Sequence, residues 1–116
     1  MNMNTSKIKT ATVQETMTTL QQNPKAVLVD VREQEEVDEI APSIGTFFPM
    51  SKINPSTFHS DCKVEKNQPL YILCKAGGRS MRVAAALADA GFTDLTNVTG
   101  GIMAWEAAGL PIKTGR

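Results

Sequence analysis

Leu70-Tyr-Ile-Leu73, followed by Cys74-Lys-Ala-Gly-Gly-Arg-Ser80, joins a short apolar run to a glycine-containing loop and then to a helical pattern. Consecutive apolar residues without polar alternation read as a strand buried on both faces. From Ser80 onward Val83, Ala84 and Leu87 share one helical face, so a helix is expected to begin near Ser80. A buried strand that runs through a compact loop into a helix is the elementary unit of a parallel α/β sheet.

The same alternation extends outward in both directions. Ser6 to Ala11 reads as a short opening strand. Thr12-Val-Gln-Glu15 has capping-box spacing, and Val13, Met17 and Leu20 then fall on one helical face. Asn23-Pro24 stops that helix, and Ala26 to Asp30 is a second buried-strand pattern. Glu33 to Glu39 is acidic and reads as a short exposed helix. Thr46 to Phe48 is a short strand ended by Pro49, and Pro55 to Cys62 holds one or two helical turns. Leu95 to Val98 is a further strand and Ile102 to Ala108 a final helix. Gly91 and Gly109 stand where a left-handed residue closes a helix, with Phe92 and Leu110 placed to pack back on Leu87 and Trp105. Short connections imply right-handed crossovers. Ligands of open parallel sheets bind at the carboxyl ends of strands. Asp30 and Cys74 stand at two such ends.

The length of 116 residues fits one domain spanning residues 1–116. A formal net charge of zero speaks against a nucleic-acid binder or an anionic-membrane binder. No apolar run is long enough to cross a bilayer, and Met1 to Thr10 is polar, with no signal-peptide core. A cytoplasmic protein is the expectation. The two cysteines, Cys62 and Cys74, form no C-x-x-C pair and are too few for a disulfide framework or a cysteine zinc site.

Cys74 reads either as a small buried hydrophobe or as a nucleophile, and its surroundings decide. Gly77 and Gly78 permit backbone angles closed to other residues, so the loop can curl its N–H groups inward as an anion nest. The following helix adds its positive end, and Lys75 and Arg79 add formal charge. A free thiol has a pKa near 8.5, so only about 3% is thiolate at pH 7. A helix end alone supplies about 0.3–1 kcal/mol at an exposed site, which is less than one pKa unit. The loop N–H groups of Lys75, Ala76, Gly77, Gly78, Arg79 and Ser80 therefore have to contribute, and they would also hold an incoming oxyanion.

Cys74-Lys-Ala-Gly-Gly-Arg-Ser80 resembles the active-site loop of the rhodaneses, C-x-x-G-x-R-[ST]. Leu28-Val-Asp-Val-Arg-Glu33 resembles the family's D-x-R-E segment. Val98-Thr-Gly-Gly-Ile-Met-Ala-Trp-Glu-Ala-Ala-Gly-Leu-Pro-Ile112 resembles its closing G-G-x-x-x-W-x-x-x-G-L-P-[VI] segment. The three occur in family order over nearly the whole chain. One stretch departs: Ile40-Ala-Pro-Ser-Ile-Gly45 stands where the family carries G-H-I-P-G-A, which leaves the backbone at that edge of the sheet open.

The resemblance implies an α/β fold of three layers, a mainly parallel sheet of about five strands with helices on both faces. It also implies sulfurtransferase chemistry without cofactor or metal. Cys74 would take the outer sulfur of thiosulfate as a persulfide, release sulfite, and pass the sulfur to cyanide or a thiol.

Other residues are weighed on the same terms. Asp30 is expected to accept hydrogen bonds from loop N–H groups and Arg32 to form a fixed ion pair, both as scaffold. Arg79 is expected to bind substrate through its guanidinium fork, the plainer reading being a solvent-facing charge. Lys75 and Arg82 are open between these readings. Ser80 reads first as an N-cap and second as a donor to the sulfur. His59, the single histidine, reads as a surface residue, Cys62 as a bystander thiol, Trp105 as core, and Glu33 to Glu39 as a solvated face.

Two other functions compete. A cysteine phosphatase needs C-x5-R, but Arg79 lies one position short of that and Ser80 occupies the place. A smaller ring of N–H donors suits a sulfur atom better than a phosphate. A partner-binding module or persulfide relay, loaded by another protein, would keep Cys74 but turn over thiosulfate poorly.

Overall fold

The computed structural model describes residues 8–114. Its main sheet has five parallel strands in the order β1-β6-β5-β2-β4. These are β1 (Lys9–Ala11), β2 (Val27–Asp30), β4 (Thr46–Phe47), β5 (Leu70–Leu73) and β6 (Leu95–Val98). Five helices accompany them: α1 (Val13–Gln22), α2 (Gln34–Glu39), α3 (Phe58–Asp61), α4 (Gly78–Asp89) and α5 (Gly101–Ala107). Ser6 and Lys7 of the expected opening strand lie outside the described residues.

Side chains alternate across the sheet, and each face has its own core. Val29, Ile72 and Cys74 point to one side, where they meet Val83, Ala84 and Leu87 of α4 and Phe58 of α3. Leu28 and Leu73 point to the other, against Val13 of α1 and Ile102 and Trp105 of α5. This is why β2 and β5 lack polar alternation. On the first side Phe58 makes edge-to-face contacts with Phe48 and Phe92, centroids 5.3 and 5.8 Å apart. Trp105 is fully buried, and its indole N–H donates to the Pro111 carbonyl at 2.9 Å.

Local signals set the helix ends. Thr12 Oγ1 accepts the Glu15 N–H at 3.0 Å while the Glu15 carboxylate accepts the Thr12 N–H at 2.8 Å, so the capping box forms. The α4 terminus closes with Phe92 N–H to Leu87 O and Gly91 N–H to Ala88 O, and α5 repeats the pattern with Leu110 to Trp105 and Gly109 to Glu106. Both are Schellman closures.

A two-stranded antiparallel sheet was not legible in the sequence. It pairs β3 (Ile40–Pro42) with β7 (Ile112–Thr114). Three residues, one of them proline, carry too little pattern to announce a strand. This pairing settles the backbone of the departing segment. Gly45 then takes φ +100° beside β2, where a Cβ would lie 2.8 Å from the Leu28 carbonyl oxygen. Among the described residues no helix is long and apolar enough to cross a membrane.

Candidate active site

β5 lies between β2 and β6, so the carboxyl ends of three neighbouring strands converge. Cys74 follows the last residue of β5, Asp30 ends β2, and Asn97 is the penultimate residue of β6. Cys74 is only 1% exposed, and its sulfur lies beneath the loop that follows. The loop's rim is open: Lys75, Ala76 and Gly78 are exposed.

The helix after the loop begins at Gly78, two residues before the expected start. Ser80 is therefore inside the first turn and is not the N-cap, correcting that reading. Gly77 occupies the cap position with φ +123° and has no side chain to satisfy the first N–H groups. The Cys74 sulfur takes that role. Gly77 N–H donates to Sγ at 3.0 Å, and Ser80 Oγ lies 3.3 Å from it. Burial pushes the Cys74 thiol up, but the Ser80 hydroxyl and the N–H groups of Ser80, Gly77 and Ala76 outweigh it, and the thiol is held below its ordinary value. Cys62 behaves the other way: burial, joined by the Asp61 charge, raises its thiol.

Other backbone contacts hold the loop down. Ile102 N–H donates to Cys74 O at 2.9 Å and Met103 N–H to Lys75 O at 3.3 Å, so the first turn of α5 binds the loop carbonyls. Gly101 makes that approach possible, since a Cβ there would lie 2.3 Å from Cys74 O. Asn97 ties the same loop from the sheet. Its Nδ2 donates to Gly77 O at 3.3 Å and its Oδ1 accepts from the Ser80 hydroxyl. Asn97 was missed in the sequence, although a polar residue inside a buried strand next to the cysteine strand was the available signal.

Asp30 does not accept loop N–H groups, contrary to expectation. Its carboxylate is taken by Arg32, through the backbone N–H at 3.1 Å, Nε at 3.0 Å and Nη2 at 2.8 Å. Arg32 forms the expected fixed ion pair and also donates to Ile40 O at 2.7 Å. The buried pair positions α2 and β3 and does not touch the sulfur. The reason is local: Arg32 is two residues from Asp30 and reaches it before any loop amide can.

Arg79 does not simply face solvent. Nη1 and Nη2 each donate to one Glu36 oxygen at 2.7 Å, a bidentate pair. The Arg79 hydrogen bonds hold the Glu36 carboxyl at about 2, against burial and helped by the Glu33 N–H. The acidic run is thus not simply a solvated face. Glu36 reaches across to α4, and Glu33 accepts from the backbone N–H and hydroxyl of Ser51. Arg82 is exposed, beside Met50 and Ile53. His59 is exposed on α3. Among the described residues no group of three His, Cys, Asp or Glu side chains could hold a metal ion.

Comparison with known proteins identifies the family. The family model described as the rhodanese-like domain matches residues 13–108. The chain is 33% identical to the putative sulfurtransferase YtwF of Bacillus subtilis, covering 94% of this chain and 98% of that one. It is 32% identical to the thiosulfate sulfurtransferase GlpE of Actinobacillus succinogenes, covering 80% of each. Among solved structures, a rhodanese-like domain protein from Staphylococcus aureus superposes with a TM-score of 0.70 at 31% identity, covering 84% of this chain and 91% of that one. Other curated relatives are much longer, and the chain spans 27% of one and 25% of another.

Proposed function

The chain belongs to the rhodanese-like domain family, a family of sulfurtransferases, and from that premise we propose that it moves sulfane sulfur through a persulfide on Cys74. The observation that carries this reading is the polar surround of Sγ: the Gly77 N–H donates at 3.0 Å, and the Ser80 hydroxyl oxygen lies 3.3 Å away with its one proton shared between Sγ and Asn97 Oδ1. They favour the thiolate, and the thiolate is the nucleophile. The same donors suit the terminal sulfur of a persulfide, which is also anionic.

In the first half-reaction the Cys74 thiolate attacks the outer sulfur of thiosulfate or of an organic persulfide. The donor's S–S bond breaks and its electron pair leaves with sulfite or a thiolate. In the second half an acceptor thiolate, or cyanide, attacks the outer sulfur on Cys74 and restores the thiolate. The two halves give a double displacement. A reduced compartment such as the cytoplasm would keep Cys74 and Cys62 as free thiols.

A phosphatase is disfavoured by the direction of Arg79. A phosphate would need that guanidinium turned into the loop, and it is engaged by both oxygens of Glu36. A relay loaded by a protein partner shares the persulfide and remains compatible with the exposed rim at Lys75 and Ala76. Steady-state production of thiocyanate from a sulfane donor and cyanide tests the proposal. Parallel lines at several fixed cyanide concentrations are expected. Intersecting lines would indicate a ternary complex and contradict a covalent intermediate.

A further inference from the structure

Glu36 stands outside the sulfur chemistry, yet it makes a strong contact with the catalytic loop. Its Oε2 and Oε1 accept Nη1 and Nη2 of Arg79 at 2.7 Å each, and Oε2 also accepts the Glu33 N–H at 3.0 Å. The carboxylate is therefore fixed at its base and saturated at its tip. A guanidinium held end-on by a carboxylate keeps its Nε–H edge, but the charge it offers a second anion is largely offset by the first. With Arg79 paired, Lys75 at the exposed rim is the loop's other side-chain cation.

We propose that Glu36 is a specificity-determining residue, which masks the charge of Arg79 and so fits the site to organic hydropersulfide donors in preference to free oxyanionic donors such as thiosulfate. This rests on the sulfur-transfer reading above and adds the donor class to it.

The charge balance of the two donor reactions supplies the argument. Thiosulfate dianion plus thiolate gives a Cys74 persulfide anion and sulfite dianion. Three negative charges gather at the transition state, where attraction to a nearby cation is worth most. A hydropersulfide, R–S–SH, plus thiolate gives Cys74–S–SH and R–S⁻, with the S–S electron pair leaving on the inner sulfur and the proton staying on the outer one. That reaction carries one negative charge, or two when the donor reacts as R–S–S⁻, against three for thiosulfate. An unmasked Arg79 therefore favours thiosulfate far more than it favours R–S–SH. The fold instead places a carboxylate on Arg79, and the N–H nest, which recognises a single sulfur atom, serves both donors alike. With the Glu36 carboxyl held at about 2, the mask stays charged wherever the thiol is reactive.

The test is a ratio. Persulfide formation on Cys74 is timed with thiosulfate and with an alkyl hydropersulfide bearing no other charge, in wild type, Glu36→Gln, and the double variant Glu36→Gln/Arg79→Gln. Glu36→Gln is expected to raise the thiosulfate-to-hydropersulfide rate ratio about tenfold, the size expected of one unmasked charge near the surface. The double variant is expected to lose that gain, since it removes the charge that was unmasked. A role confined to structure would lower both rates together and leave the ratio in place, which overturns the proposal. A rise in both rates at an unchanged ratio also overturns it, because Glu36 would then act on the nucleophile. Should Glu36→Gln not fold, Arg79→Lys replaces it: lysine cannot match both carboxylate oxygens, so its charge swings free and the ratio should again rise. A ratio that stays put in that variant overturns the proposal as well. If neither donor loads Cys74 in wild type, the sulfur-transfer reading itself has failed, which is a different result from a loaded enzyme with an unmoved ratio.

Discussion

The backbone N–H of Gly77 donates to the sulfur of Cys74 at 3.0 Å, and Gly77 can do so because its φ is +123°. Residues with a side chain rarely take that conformation. One glycine thus turns the chain so that the first turn of α4 finds its acceptor in the thiolate. The groups that hold the Cys74 thiol down are the Ser80 hydroxyl and the N–H groups of Ser80, Gly77 and Ala76.

Gly77→Ala should uncouple these two features. The added Cβ meets no close atom, its nearest neighbour being Asn97 Nδ2 at 3.8 Å, so crowding is not the obstacle. The strain lies in φ. A loss of about 1–3 kcal/mol in folding stability is expected, together with a higher Cys74 pKa. Denaturant unfolding and the pH profile of thiol alkylation measure the two effects. A variant that keeps the wild-type alkylation profile would show that the Gly77 N–H does not tune the sulfur.

Gly101→Ala should act differently, by collision. Its Cβ would lie 2.3 Å from Cys74 O and 2.5 Å from Lys75 O, both backbone atoms that cannot rotate away. The loop has to move off α5 and lose the hydrogen bonds from Ile102 and Met103. Stability should fall and persulfide formation should slow by about a hundredfold, the scale of a catalytic group misplaced by an ångström. Amide exchange at Ile102 and Met103 reports whether the loop has lifted. Protection as in wild type, with slow sulfur transfer, would place the defect elsewhere.

The two cysteines should titrate in opposite directions from an ordinary thiol. Alkylation of Cys74 should reach its plateau at lower pH, since the thiolate is reactive and the loop donors stabilise it. Cys62, raised first by burial and then by Asp61, should reach its plateau at higher pH. Ser80→Ala removes the hydroxyl beside the sulfur, and should move the Cys74 midpoint up. Peptide-resolved alkylation across a pH series separates the two sites. Coincident profiles for Cys62 and Cys74 would remove the electrostatic account of the loop.

Much of this was readable beforehand, and what was not has physical causes. β2 and β5 showed themselves because both faces are covered, and Gly91 and Gly109 because a Schellman closure has few alternatives. The loop after Cys74 was readable because strand, glycine pair and helix are contiguous in the chain. Three features escaped because they depend on residues distant in sequence. Arg79 meets Glu36 only after α2 is folded across the sheet, so its partner could not be seen from the loop. Asn97 reaches Ser80 only because β6 lies beside β5. The pairing of β3 with β7 joins two three-residue stretches from distant parts of the chain. The helical face of Val83, Ala84 and Leu87 points to a start near Ser80, whereas α4 begins at Gly78, because Gly78 and Arg79 carry no apolar periodicity to mark the first turn. Asp30 stands at a strand end beside the loop, but Arg32, two residues on, takes its carboxylate.

Intact mass after loading tests the central claim most directly. Wild-type protein, Cys74→Ala and Cys62→Ala are each incubated with thiosulfate and, separately, with an alkyl hydropersulfide, then freed of donor and weighed. Wild type and Cys62→Ala should gain one sulfur atom that cyanide removes, and Cys74→Ala should gain none. A sulfur adduct that survives Cys74→Ala and disappears in Cys62→Ala would contradict the account.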